Sequence, residues 1–190
     1  MSQLPRRGVV RLVAALAAAL IGATTFVAPV TASASVAAHP RTPREVAIGL
    51  AVQTLLNVER AVHGLAPLQM RVRLCRAAHA HNRAMAAADE LSHQLPGEAD
   101  LGTRLRRAHY RWSFAGENVA WNSAMSRAGV LQLERLMYRE KPPENGHRLN
   151  ILSPNYQDIG VDVYFDQAHH KVWLTTDFAR PMPRQVGSPR

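Results

Sequence analysis

Four side chains in polar stretches have the types that acid–base or metal chemistry requires. His93 lies in Leu91-Ser92-His93, Glu117 in Gly116-Glu117-Asn118, and His147 in Asn145-Gly146-His147-Arg148-Leu149-Asn150, with Glu140 shortly before the last of these. Neutral imidazoles and carboxylates together suit zinc in a pocket that keeps room for water. The same pair of types also makes a metal-free network, in which each carboxylate accepts a hydrogen bond and fixes an imidazole tautomer. Spacing in the chain does not bring the four together, and each alone reads as a surface or capping residue. The sequence has no Gly-x-Ser-x-Gly nucleophile turn, no His-Glu-x-x-His zinc helix and no glycine-rich phosphate loop. Its single cysteine, Cys75, excludes an internal disulfide framework and any Cys-based zinc module.

The elements that would position these groups occupy a chain of 190 residues with 23 Lys and Arg against 14 Asp and Glu. That length suits one domain with its own core. Residues 1–34 read as a secretion signal: Arg6, Arg7 and Arg11 at the start, an apolar run to about Val30, then Ala32-Ser33-Ala34 as a cleavage site. The rival reading of this stretch is a membrane anchor. Loss of its three arginines would lower the formal net charge from +9 to +6. The expected plan is a signal at 1–34, a linker at 35–41, one globular domain at 42–180 and a tail at 181–190.

Thr42-Pro43-Arg44-Glu45 is a capping box with proline at the first helical position. The run Ala47, Ala51, Leu55, Val58 and Val62 then predicts the buried stripe of a first helix, ended by Gly64. Leu74, Ala78, His81, Met85 and Ala88 predict a second. A short third helix is expected near Asp100, and Ser126 can cap a fourth with Val130, Leu133 and Met137 on its face. The period then changes. Ile159 to Phe165 and Val172 to Phe178 alternate in twos around a polar turn, which predicts a β-hairpin. Residues 114–120 could add a strand or form an irregular connection. Helices first and strands last, without βαβ alternation, indicate an α+β layered domain.

In order, the chain carries Asn57-x-x-Arg60, Gly64-Leu65-x-Pro67-Leu68, His81 to Met85, Leu91-Ser92-His93, Gly116-Glu117-Asn118, Gly146-His147-Arg148-x-Asn150-Ile151-Leu152 and Ile159-Gly160-Val161. This series resembles the CAP superfamily of SCP-like proteins in its bacterial form, from about Glu45 to Phe178. The resemblance implies an α-β-α sandwich with a cleft of two histidines and two glutamates. It assigns His93, Glu117 and His147 at motif matches, and Glu140 ahead of Glu134 and Glu144 for the second glutamate. It further implies a secreted or envelope protein, a non-enzymatic binding module whose partner is a lipid, a cell-wall polymer or an extracellular protein, with no nucleic acid. Membrane contact is expected only through an uncleaved signal. Some family members bind a divalent metal in the cleft, so His93 and His147 are the candidate ligands and Zn the candidate ion; the metal-free network ranks ahead of it. The alternative function is a metal-dependent, peptidase-like hydrolase using the same cleft.

Other candidates have plainer readings. His81 lies on an apolar stripe and reads as a hydrogen-bonded core histidine. Cys75 and His79, flanked by Arg73 and Arg76, could lower a thiol pKa, although a semi-buried helix residue is the simpler reading. His169 and His170 read as solvated. Arg104, Arg106, Arg107 and Arg111, interleaved with Tyr110 and Trp112, form a basic cluster that reads first as a solvated helix face and then as a site for anionic polymer or lipid headgroups.

Overall fold

The computed structural model describes residues 40–183, so the expected signal, most of the linker and the end of the tail lie outside the described residues. Helix α1 (Pro43–Val62) starts as the sequence predicts. The Thr42 side chain accepts from Glu45 N at 3.2 Å, and Glu45 Oε2 accepts from Thr42 N at 2.7 Å. The other Glu45 oxygen accepts from Phe165 N at 3.2 Å, so the cap also ties the helix to the sheet. Past its end, Gly64 takes φ +68°, and Leu65 N and Gly64 N donate to Arg60 O and Ala61 O, which is a Schellman stop.

The buried face of α1 is not the expected one. Ile48, Val52 and Leu56 face the core beside Glu45, Glu59 and Arg60, whereas Val58 and Val62 are 58% and 75% exposed. The helix is apolar around much of its circumference, so its periodicity fits two phases. Polar partners select between them. Asn57 exchanges hydrogen bonds with Leu68, its Oδ1 accepting from Leu68 N at 2.8 Å and its Nδ2 donating to Leu68 O at 3.1 Å. Arg60 donates to three main-chain carbonyls, as described below. Apolar spacing cannot see these bonds.

A two-residue strand β1 (Gln69–Met70), too short for a sequence signal, precedes α2 (Val72–Ala88). Helix α3 (Leu101–Arg107) is capped by Asp100 and α4 (Arg127–Tyr138) by Ser126. Residues 114–120 do form a strand, within β2 (Trp112–Asn122), and the segment carrying His147 is a short helix, α5 (Gly146–Ile151), rather than a loop. Strands β3 (Asp158–Asp166) and β4 (Lys171–Pro181) form the predicted hairpin. The sheet order is β1-β3-β4-β2, with β1 parallel to β3 and the other pairs antiparallel.

Helices cover both faces of this sheet, which gives the expected α+β sandwich. Helices α1 and α4 bury Ile48, Val52, Leu56, Val130, Leu133 and Met137 against Ile159, Val161, Val163, Leu174 and Phe178. The α2 side carries a polar cluster: Asn82 Nδ2 donates to Asp162 Oδ2 at 2.9 Å, and Thr175 Oγ1 donates to Asn82 Oδ1 at 2.6 Å.

Glu134, the rival for the second cleft glutamate, lies in the core between α1 and α4 instead. It is fully buried, and neither of its oxygens has a hydrogen-bond partner. Burial, and then the charge of Glu59, push it up to about 8. Burial likewise lifts Glu59 to about 7, with Arg135, Arg148 and Arg139 pulling it back. Both groups therefore hold protons in the folded protein at pH values where the unfolded chain, near 4.5, has lost them. Folding takes up protons, so this pair makes stability fall as pH rises from about 4.5 towards 8. Glu134→Gln, whose amide mimics the protonated acid, is expected to flatten that slope and to gain roughly 1–3 kcal/mol on wild type at pH 8. Denaturant melts across the pH range check it, and parallel slopes for the two proteins would contradict it.

Candidate functional site

The edge strand β2 organises the cleft. Alternation along a strand sends Glu117 and Asn118 to opposite faces. Glu117 points toward α2 and α3, and Asn118 points toward α5, where its Nδ2 donates to His147 O at 3.1 Å. Asn150 of α5 reaches back over the edge, with Nδ2 donating to Glu117 O at 3.2 Å and to Asn118 Oδ1 at 2.8 Å. Tyr156 Oη donates to Asn150 Oδ1 at 3.2 Å. Gly116 is required beneath this contact, because a Cβ there would stand 2.1 Å from Tyr156 Oη. The helix thus covers an otherwise open sheet edge.

Two His–Glu pairs result. His93 Nδ1 and Glu117 Oε1 are 2.9 Å apart, and His147 Nδ1 and Glu140 Oε1 are 2.5 Å apart. Both pairs line one open cleft of about 350 Å³, together with Glu144, Gly146 and Asn150. The four expected residues are therefore brought together. Glu140 lies beyond the end of α4 rather than on its buried face, and its Oε2 also accepts from His147 N at 3.0 Å. Glu144 lines the cleft without bonding either histidine. With Nδ1–H directed at a carboxylate, each ring in its neutral form carries its lone pair on Nε2, and neither Nε2 has a hydrogen-bond partner among the described residues.

The two pairs differ electrostatically. Burial pushes the Glu117 carboxyl up, but the His93 hydrogen bond, Arg104 and His81 outweigh it and hold Glu117 below the ordinary carboxylate range. Arg104 Nη2 lies 2.9 Å from Glu117 Oε2 and also donates to His93 O at 3.0 Å. The hydrogen bond to Glu117 raises His93, with burial opposing it. Asp177 stands directly opposite Glu117 in the β2–β4 ladder and is fully buried. Burial, and next the charge on Glu117, push its carboxyl well above the ordinary carboxylate value. Sequence reading missed Asp177 and the support that His81 gives; a carboxylate inside the period-two run Thr175-Thr176-Asp177-Phe178 was the available signal. Both rings reach solvent, the His93 side chain 61% and the His147 side chain 34% exposed, while Glu117 is the more buried of the two carboxylates.

A family model described as the Cysteine-rich secretory protein family, CAP, matches residues 53–178. The chain belongs to this family. It is 33% identical over 122 residues to YlbC of Bacillus subtilis (strain 168), called an uncharacterized membrane protein, covering 63% of this chain and 33% of that one. It is 33% identical over 110 residues to YkwD of the same organism, an uncharacterized protein, covering 58% and 40%. The CAP chain thus spans about a third to two fifths of the length of these relatives. An extracellular protein with an SCP domain from Bacillus anthracis superposes with a TM-score of 0.61 at 28% identity, over 75% of this chain and 45% of that one. Among the described residues no helix is long and apolar enough to cross a membrane.

The remaining candidates of this CAP domain resolve structurally. His81 is buried, its Nδ1 2.8 Å from Glu98 Oε1 and its Nε2 2.9 Å from Ser92 O, as a core histidine would be. Cys75 is buried beside Met70 Sδ, and burial raises its thiol, so the flanking arginines do not activate it. His79 turns to Asp162 instead, at 3.2 Å. Tyr110 Oη donates to Asp158 Oδ2 at 2.8 Å and Trp112 Nε1 to Gly102 O at 3.1 Å, so these aromatics hold the fold. A larger depression of about 470 Å³ lies between the end of α1, β1 and β3. Its carboxylate, Asp158, is already held by Arg71 at 2.9 Å and by Tyr110, so it gathers no free acid–base pair.

Proposed function

We propose that this protein is a non-enzymatic binding module acting outside the cell or at the cell envelope, and that its cleft takes a divalent ion such as Zn²⁺ through His93 and His147. One observation carries the reading: two imidazoles, each oriented through Nδ1 by its own carboxylate, line one open cleft, and neither Nε2 has a partner among the described residues. Carboxylate-oriented histidine is the usual support for a metal-ligating ring. On this reading Glu117 and Glu140 position the ligands and do not coordinate. Among the described residues no three His, Cys, Asp or Glu side chains form a group able to hold a metal ion. Two imidazoles leave most coordination positions to water or to a bound partner, which suits an exchangeable ion that bridges to a ligand. When bound, the ion supplies a Lewis-acidic centre; the chain supplies orientation and a cleft floor kept ordered by Asn118, Asn150 and Arg104. The basic, apolar start of the sequence supports export, and the extracellular SCP relative agrees with it.

The second reading, a metal-dependent hydrolase, uses the same cleft, with the buried and ionised Glu117 as its basic group. Metal analysis of the purified protein, followed by peptidase assays with and without chelator, separates the two. The expected outcome is zinc uptake without turnover. Turnover abolished by chelator and by Glu117→Gln would establish the hydrolase and overturn the binding-module reading.

A further inference from the structure

Folding redistributes the charge of this chain. Eight of its 14 acidic side chains are buried, against only Arg60 and Arg104 among the described basic ones, so the surface is far more basic than the composition suggests. One run of this excess lies at one end of the domain. Arg73 Nη1 donates to His109 O at 2.9 Å and Arg76 Nη2 to Ala108 O at 3.2 Å, which brings the first turns of α2 to the end of α3 beside Arg107. Met182 N donates to Arg111 O at 3.1 Å, and Arg180 pairs with Phe114 in the ladder, so the start of β2 and the end of β4 continue the same surface. Arg73, Arg76, Arg107, Arg111 and Arg180 are all exposed. Asp158, the carboxylate within this region, is buried and already paired with Arg71.

We infer that this arginine-rich end docks on an anionic phospholipid bilayer, independently of the histidine cleft and of the N-terminal apolar segment. The guanidinium fork matches phosphate oxygens in a way that ammonium does not, and every basic side chain of the patch is arginine. Apolar side chains stand among the charges: Val72 is 68% exposed and Met182 47% exposed, next to Arg73 and Arg111. A bilayer surface accepts both kinds of group, phosphates at the headgroups and apolar tips at the acyl boundary, whereas a soluble polyanion has no use for the apolar ones.

The test is sedimentation of the full chain with vesicles of phosphatidylglycerol and phosphatidylcholine at low and moderate salt, with pure phosphatidylcholine vesicles reporting any binding by the N-terminal segment. The quadruple variant Arg73→Gln, Arg76→Gln, Arg107→Gln, Arg111→Gln is expected to lose about tenfold or more of the binding that depends on the anionic lipid. A second variant, Arg127→Gln, Arg135→Gln, Arg139→Gln, Lys141→Gln, removes the same charge from the α4 region and is expected to keep most of it. Val72→Ser with Met182→Ser should weaken vesicle binding without affecting binding to soluble polyphosphate. Equal losses in the two quadruple variants, or binding of polyphosphate without binding of anionic vesicles, would overturn the proposal. Far-UV circular dichroism of each variant confirms that it is folded.

Discussion

Arg60→Ala is expected to destabilise the domain by roughly 3–5 kcal/mol, because it would take the donor from three main-chain carbonyls at once, the Ile151 contact fully buried, and empty the space of a buried side chain. Arg60 is 1% exposed, and no carboxylate among the described residues pairs with it. Its Nε donates to Ala66 O at 2.9 Å, and its Nη1 donates to Ile151 O at 2.7 Å and Ser153 O at 2.9 Å. Those last two carbonyls are at the end of α5, where a helix has no internal donors left. One side chain thus closes the turn after α1 and pins the helix that carries His147. Arg60→Lys keeps the charge but not the planar fork, and should recover less than half of the loss. Denaturant melts of the three proteins decide it; a loss under 1 kcal/mol in Arg60→Ala would mean that water satisfies the carbonyls.

Gly160→Ala should cost about 3 kcal/mol or more, beyond most overpacking changes. A Cβ on Gly160 would stand 2.3 Å from the Leu74 carbonyl carbon and 2.5 Å from Cys75 N. Those are backbone atoms of α2, so no side chain can swing aside and the helix must lift from the sheet. Gly49 supplies the internal control. Its added Cβ would meet Val161 at 3.6 Å, an ordinary contact, and it lies inside α1. Gly49→Ala is therefore expected to be neutral or stabilising by about 0.5–1 kcal/mol. Similar losses at both glycines would contradict the claim that close approach of α2 to β3 is what Gly160 provides.

Much of the fold was legible where one face of an element is apolar and the other is not. Helices α2, α3 and α4 and the β3–β4 hairpin have one phase each, and Thr42, Asp100 and Ser126 announce their helices through side-chain chemistry that acts within four residues. Helix α1 was misphased because its register is chosen by Asn57 and Arg60, whose partners lie at Leu68, Ala66, Ile151 and Ser153. Strand β1 is held by pairing with β3 and has no pattern of its own. For the cleft, the motif resemblance supplied His93, Glu117 and His147 and ranked Glu140 ahead of Glu134 and Glu144, and the three-dimensional arrangement shows why Glu134 is elsewhere. Glu140 falls beyond the last turn of α4 and turns to α5, while Glu134, four residues after Val130 on the apolar stripe, is carried into the core. Burial of Glu134 without a partner is what no polarity pattern foretells.

The claim that His93 and His147 form one ion site is tested most directly by zinc titration in a melting assay, at a pH above the histidine range, with wild type, His93→Ala, His147→Ala and His169→Ala. His169 is the control, since its Nδ1 pairs with Asp166 at 2.7 Å in the hairpin turn, away from the cleft. An ion that binds only the folded state stabilises it, by about 2.7 kcal/mol at a hundred times its dissociation constant. Wild type and His169→Ala are predicted to gain melting temperature with zinc, and each cleft variant to lose most of that gain. An equal response in all four proteins would contradict the shared site and leave the two His–Glu pairs as hydrogen-bonded supports of the β2 edge.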